Sequence, residues 1–320
     1  MLGRKGSVMV FIAALGISAS SVQAQQLGKE ALSSFPAGTV QVQYSSPAAL
    51  RKLPNYDSLR QHYMGAWLKE LETSLVQLGI KESDVDELVL GWASGASQKQ
   101  PYGLATGRFD ATVLGERAAE RHIAPDSIGG KTGYCLGAGL ETPCVVLLGS
   151  NLGAFGTLSS LSEMMDVRGG ARPSLGSDAN VAKIVNDLES AAPIWGIATD
   201  GAVAQWFQNW MPTQHNIQLD WAQVFQNVDN LGYKVQAAQD VQLQMDLYCK
   251  STEAAGSLRQ VLEGLKLAQQ LAWQSEYPNQ ANPFSGMAIA ESGTDISIQL
   301  TASYSDLSAA GSMGAAPQGP

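Results

Sequence analysis

Apolar and polar residues alternate over Thr39 to Ser45 (TVQVQYS), where Val40, Val42 and Tyr44 are separated by Gln41 and Gln43. A period of two predicts a half-buried strand. Ser46-Pro47 then opens a short helix with proline in its first turn. Beyond Pro54 the spacing changes to three and four. Capped by Asn55 or Asp57, the positions Leu59, Tyr63, Trp67, Leu71, Leu75 and Leu78 predict an amphipathic helix that stops at Gly79. Val85 to Trp92 (VDELVLGW) and Leu104 to Phe109 predict two strands, and Asp110 caps a helix whose inner stripe is Val113, Leu114, Ala118 and Ile123.

A similar order of elements returns downstream. NLGYKVQAAQD and VQLQMDLYCKS predict two strands, and Thr252 to Ala272 a helix with Leu258, Val261, Leu262, Leu265, Ala268 and Leu271 on one face. The stretches 85–123 and 230–272 therefore read as two copies of one ββα unit. Residues 25–34 form a polar lead-in. KTGYCLG and PCVVLLG predict a pair of strands, the second ending at Gly149-Ser150, with a helix following from Leu152 to Met165. Asp178 caps a helix with Val181, Ile184, Val185 and Leu188 inward. Pro193 to Thr199 is a strand, Asp200 a cap, Ala202 to Trp210 an aromatic helix, and Asp220 to Val228 another. A last hairpin pairs Met287–Ala290 with Ile296–Ala302 around Ser292-Gly293-Thr294. Hairpins outnumber strand–helix–strand crossovers, so the fold class is α+β: largely antiparallel sheet with helices packed on one face. Two related halves, 35–192 and 193–304, share one continuous sheet or form two lobes. Residues 305–320, rich in Ala, Gly, Ser and Pro, are expected to be disordered.

Composition adds a destination. Arg4 and Lys5, the apolar run Val8 to Ala19 and the Val22-Gln23-Ala24 site make residues 1–24 a secretory signal peptide. Removing it takes the formal charge from −9 to −11. That acidity disfavours nucleic acid, whose phosphates reward Lys and Arg. No later stretch is apolar enough to span a bilayer, so no membrane span is expected in the mature chain. Export permits disulfides. Cys135 and Cys144 face each other in a hairpin centred between residues 139 and 140, as a cross-strand disulfide or as two buried thiols, and Cys249 is left over.

Candidate chemistry is sparse. His62, His122 and His215 share no H-x-x-x-H spacing, and no C-x-x-C occurs, so neither a metal site nor a cofactor is indicated. No G-x-S-x-G elbow occurs. Gly149, Gly153 and Gly156 could cradle a phosphate at a helix start, but lack a P-loop lysine and read as a tight turn. Glu82, Asp84, Asp86 and Glu87 read as a solvated helix-to-strand loop rather than paired catalytic carboxylates. The aromatic concentration is least ordinary: Trp195, Trp206, Phe207, Trp210 and Trp221 fall close together. Buried, they are the core of the second half or the seam between halves. Exposed, they are a candidate binding face for a glycan or a protein.

The segments FPAGTVQVQYSSPAALRKLPNY, DVDELVLGW, G-R-F-D before a helix, and LLGSNLGAFGTL resemble exported bacterial proteins built from tandem β-α units. That resemblance spans most of the mature chain, implies no activity and carries over no site residue. The expectation is a secreted or periplasmic protein without catalysis. It would bind an envelope or extracellular protein or glycan through one face of the sheet or through the aromatic segment. The alternatives are an envelope hydrolase with an unrecognised site and a carrier of an apolar ligand between the two halves.

Overall fold

Alternating segments of the first half become β1 (Thr39–Ser45), β2 (Val85–Ala93), β3 (Tyr102–Gly107), β4 (Pro125–Ile128), β5 (Lys131–Cys135), β6 (Pro143–Leu147) and β7 (Leu152–Thr157). The second half supplies β8 (Ile194–Thr199), β9 (Val228–Ala237), β10 (Val241–Cys249), β11 (Ala288–Ser292) and β12 (Asp295–Ala302). All twelve join one sheet in the order β11-β12-β10-β9-β8-β1-β2-β3-β7-β6-β5-β4, and every neighbouring pair is antiparallel. The computed structural model describes residues 26–304. The exceptions are 54–55, 58–59, 61–65, 95–100, 141, 189–191, 211–218, 239, 277, 279–281 and 283, and the side chains of Ala66, Trp67, Asn209, Trp210 and Glu276. The expected signal peptide and C-terminal tail lie outside the described residues.

Strands β1 and β8 pair at the centre, from Gln41–Ala198 to Ser45–Ile194. Outward from them the order is β1-β2-β3-β7-β6 on one side and β8-β9-β10-β12-β11 on the other. Each half thus repeats the same five-strand plan, related across the β1/β8 pair as by a two-fold axis. The first half adds the β4–β5 hairpin at its edge.

Helices α1 (26–34), α5 (Leu158–Arg168) and α6 (Ala179–Leu188) cover one face. Their Leu27, Ala31, Leu161, Met164, Val181 and Ile184 join Tyr44, Val89, Leu104, Val146, Trp195 and Ile197 in one core. The opposite face carries α3 (Ala66–Gln77), α4 (Ala111–Glu120), α7 (Gly201–Trp210) and α9 (Thr252–Glu276). Leu71 of α3 packs on Leu90, Ala105 and Phe155, and Leu114 of α4 on Val145. Leu258 and Leu262 of α9 pack with Leu247, Ile296 and Ile298. Short helices α2 (Pro47–Leu50) and α8 (Trp221–Val224) follow β1 and precede β9. The class is α+β, but helices lie on both faces. Neighbours such as Val89 and Leu90 are both buried on opposite sides of their strand, so each side needs a cover.

Several elements differ from the sequence reading. Residues 26–34 are helical rather than a lead-in. Leu27 and Ala31, four apart, are buried, and Phe35 lies against Gly91, where a Cβ would stand 2.9 Å from its ring. The expected helix from Leu152 is β7, and α5 starts at Leu158 with Thr157 as its cap. Small residues Gly153, Ala154 and Gly156 let that strand sit between β3 and β6. Val261 and Leu271 of α9 are exposed, because the buried stripe runs through Ala255, Leu258, Leu262 and Gln269. Strand β4 lacks an apolar alternation and is recruited by pairing with β5. Helix α8 is a single turn, because the chain enters β9 at Val228.

At the seam the Tyr44 and Trp195 rings stack, with centroids 5.2 Å apart and planes at 10°. Trp195→Ala removes the largest fully buried side chain among the described residues and should cost about 3–5 kcal/mol. Urea unfolding followed by far-UV circular dichroism should show that loss, with both halves melting in one transition. Two separated transitions would show that the halves fold independently.

Candidate functional site

Helix α3 lies over the first half of the sheet without filling the space beneath it. Leu68, Leu71 and Leu75 form the roof, Leu88, Ala105 and Phe155 the floor, and Ile80, Phe109 and Leu147 the sides of an apolar cavity of about 80 Å³. Glu72, Lys81 and Glu82 stand at its rim.

The rim is tied together by charged hydrogen bonds. Arg51 Nη1 donates to Glu82 Oε1 at 2.8 Å and to the Glu82 carbonyl at 3.1 Å, and Nη2 donates to the Val85 carbonyl at 3.0 Å. The Tyr56 hydroxyl donates to the same Glu82 oxygen at 2.6 Å. Burial, and then the Glu82 carboxylate, push the Tyr56 phenol far above its ordinary range. Arg60 forms an ion pair with Glu72 of α3. The loop at 81–84 and the chain before α3 are thereby fastened beside an apolar slot. The rim carboxylates of Glu72 and Glu82 accept hydrogen bonds from guanidinium groups and a phenol.

Of the four acidic residues expected in a solvated loop, Glu87 departs most. It is 7% exposed, on the α1/α5/α6 face of β2. The Tyr44 hydroxyl donates to Oε1 at 2.8 Å and the Thr106 hydroxyl to Oε2 at 3.1 Å. Burial raises the Glu87 carboxyl above the usual range. The two hydroxyl donors pull it down, and the Asp86 charge adds to the rise. Glu82 belongs to the rim, and Asp84 and Asp86 stay partly or largely exposed. The acid run looked uniform in sequence because the alternation of one strand sends Glu87 inward.

The aromatic residues are core. Trp195, Trp206, Phe207 and Trp221 are all buried. Trp206 lies against Tyr233, and Phe207 stacks on Phe225 with Trp221 beside both. The physical reason is the seam: α7 and α8 have to cover apolar Ala198, Leu231 and Tyr233 on the central strands. The Trp210 side chain lies outside the described residues. Cys135 and Cys144 are directly paired across β5 and β6 and joined as a disulfide, and Cys249 is a buried free thiol. Its thiol is pushed up to about 11 by burial and by the nearby Asp295, Asp229 and Glu291. Gly149 lies in the turn between β6 and β7 and Gly153 and Gly156 in β7, and the first amides of the following α5 already donate to the Thr142 and Leu140 carbonyls and the Thr157 hydroxyl. His122 is exposed just beyond α4, whereas His62 and His215 lie outside the described residues. Among the described residues no cluster of three metal-ligating side chains occurs, and no helix is long and apolar enough to cross a membrane.

No protein-family model and no curated protein matches the chain. Solved structures do. Crystal form I of TP0453 is similar at 13% identity over 88% of this chain and 97% of its own, with a TM-score of 0.51. Crystal form IV of TP0453 gives 13% identity over 88% and 98%, with a TM-score of 0.46. The likeness to crystal form I is one of fold and brings no site residue with it.

Glu87 has a consequence for stability. A native carboxyl raised above its unfolded value binds its proton more tightly than the unfolded chain does. Its penalty is therefore absent below the unfolded value and grows as pH rises through the folded one. Glu87→Gln is neutral and keeps partners for both hydroxyls. Its Tm should exceed that of the wild type by a few degrees at pH 7, and the two should converge near pH 4. A Glu87→Gln protein less stable at pH 7 would show that the hydroxyl donors outweigh burial.

Proposed function

We propose that the mature chain is an exported, non-catalytic binding protein that carries a small apolar ligand in the cavity beneath α3. The observation that carries this reading is an unfilled, carbon-lined space of about 80 Å³ between a helix and the sheet. A dry cavity of about 150 Å³ accepts benzene, so this one matches a short alkyl group or one branch of a larger molecule. The cavity lies within the first half. The seam between halves, by contrast, is packed by Tyr44, Trp195, Trp206 and Tyr233. Export is supported by residues 1–24 and by the disulfide, which persists in oxidising compartments.

A second reading, contact with a polar envelope component through the sheet, is favoured by one surface. Helix α9 covers one side of β10, β11 and β12. On the other side Gln242 pairs with Gln236 and Thr301, Gln244 with Lys234 and Gln299, and Asp246 with Ser297. These form a flat grid of amides and hydroxyls. Solvation alone explains such a face on an antiparallel sheet, so the cavity ranks first.

The test is a thermal-shift titration of the mature chain with short alkanols, alkyl acids and benzene, and with soluble oligosaccharides in parallel. At one hundred times Kd an apolar ligand should add about 2.7 kcal/mol. Ala105→Leu, which projects into the cavity from the floor, should abolish the shift without lowering Tm. Ala105→Val is the smaller alternative if leucine overfills the space. A shift with oligosaccharides alone would replace the cavity reading with the sheet-face reading.

A further inference from the structure

The loop 136–142 between β5 and β6 does more than reverse the chain. The first backbone N–H groups of a helix have no partner inside it. In α5 those of Leu158 and Ser159 donate to the carbonyls of Thr142 and Leu140, both at 3.2 Å, so this loop caps the helix from outside. The Thr157 hydroxyl accepts from the next amide, Ser160, at 3.1 Å. Leu136 and Thr142 anchor the ends of the loop, whereas Leu140, whose carbonyl caps Ser159, is 66% exposed. Its two ends are held by the Leu136 N–H to Pro143 carbonyl bond at 2.8 Å and by the Cys135–Cys144 disulfide.

What hangs from α5 is substantial. Leu161, Met164, Met165 and Val167 enter the core. Met165 packs on the β4–β5 turn at Gly129, where φ is +56° and a Cβ would lie 2.2 Å from Met165 Cβ. Arg168, in the last turn, pairs with Glu30 and donates to the Ser34 hydroxyl at 2.6 Å, fastening α1.

We infer that the Cys135–Cys144 disulfide is a redox-operated clasp: closed, it keeps the loop seated as the cap of α5, and opened, it releases the cap and loosens α5 and α1. Cys144 is buried and Cys135 partly exposed, so a reducing thiolate approaches the Cys135 sulfur. A dithiol attacks there, the S–S bond breaks, and Cys144 leaves as a thiolate that takes up a proton. The second thiol of the reductant then displaces Cys135, which is protonated in turn, and the dithiol ends as its cyclic disulfide having given up two electrons. The Cys144 sulfur lies 3.3 Å from the Thr142 carbonyl. As a thiol it becomes a donor to the same oxygen that caps Leu158, in competition with the helix.

Amide hydrogen exchange on the full mature chain tests this, oxidised and after reduction with dithiothreitol. Exchange at Leu158, Ser159 and the α1 amides should accelerate at least tenfold, while β9 and β10 amides change far less. Tm should fall by about 5–10 °C, the scale for losing a short-loop disulfide in a chain of this size. Reoxidation should restore both. The Cys135→Ala/Cys144→Ala protein should match the reduced wild type, and Cys249→Ala removes the remaining thiol as a control. Should the double variant fail to fold, reduction of the folded wild type decides alone. Unchanged exchange at Leu158 and Ser159 overturns the proposal. So does acceleration of all amides by one common factor, which would make the disulfide a global staple.

Discussion

Strands β1 and β8 hydrogen-bond along five residue pairs, and in the sheet order this is the one strand pair that joins the two halves. Much else depends on it. Two five-strand units of the same plan each have an inner strand with unpaired backbone groups, and an exposed inner edge would leave a row of N–H and C=O groups unsatisfied. Pairing β1 with β8 removes both edges at once. Tyr44 and Trp195 sit opposite each other in that register, and their stacking closes one face of the seam. Tyr233 and Trp206 close the other, over Gly196, where any Cβ would stand 2.5 Å from the Tyr233 hydroxyl. The aromatic residues that stand out in the sequence are thus consumed in making one sheet from two units.

A sheet so wide is buried on both faces near its middle and more openly exposed toward β11. That gradient decides where the helices lie. Helices α1, α5 and α6 crowd one face of the centre, and α7 and α8 the other. Over the flank α9 covers one side alone and leaves amides and hydroxyls outside. Helix α3 is the exception. Its Leu71 packs on Leu90, Ala105 and Phe155, yet an apolar pocket lies beside that contact, with the Arg51–Glu82 and Arg60–Glu72 pairs at its rim. Because a packed interior tolerates few such voids, an apolar one beside paired charges marks the part of the molecule least explained by folding alone.

The candidate site was only partly legible in the residues. The spacing of Leu71 and Leu75 marks an amphipathic helix, but not the apolar pocket beside the contact that Leu71 makes with the sheet. Glu87 looked like its neighbours Asp84 and Asp86, because charge runs do not report which carboxylate a strand turns inward. The segment 143–165 reads as strand and helix, and the structure places a β6–β7 hairpin before the helix. Gly153, Gly156 and the serines after them satisfy the turn chemistry of either, and only pairing to β3 selected the strand. The Cys135–Cys144 pairing could be drawn from hairpin symmetry, whereas the capping of α5 by the intervening loop could not. That contact joins carbonyls to amides from separate elements, and every residue has those groups.

What the sequence determined by itself is local. Period-two and period-three-to-four patterns specify β1, β2, β9, β10, α6 and much of α9, because side-chain burial follows the geometry of a single element. Caps at Asp110 and Asp178 follow from the carboxylate each offers to the first helical amides. The tertiary structure decided the rest: the union of two halves through β1 and β8, helices on both faces, the burial of Trp195, Trp206, Trp221 and Glu87, and the cavity beside α3. Each of these depends on surfaces far apart in the chain meeting, and on whether they meet closely. A linear pattern states how apolar a surface is, but not its distance from its partner.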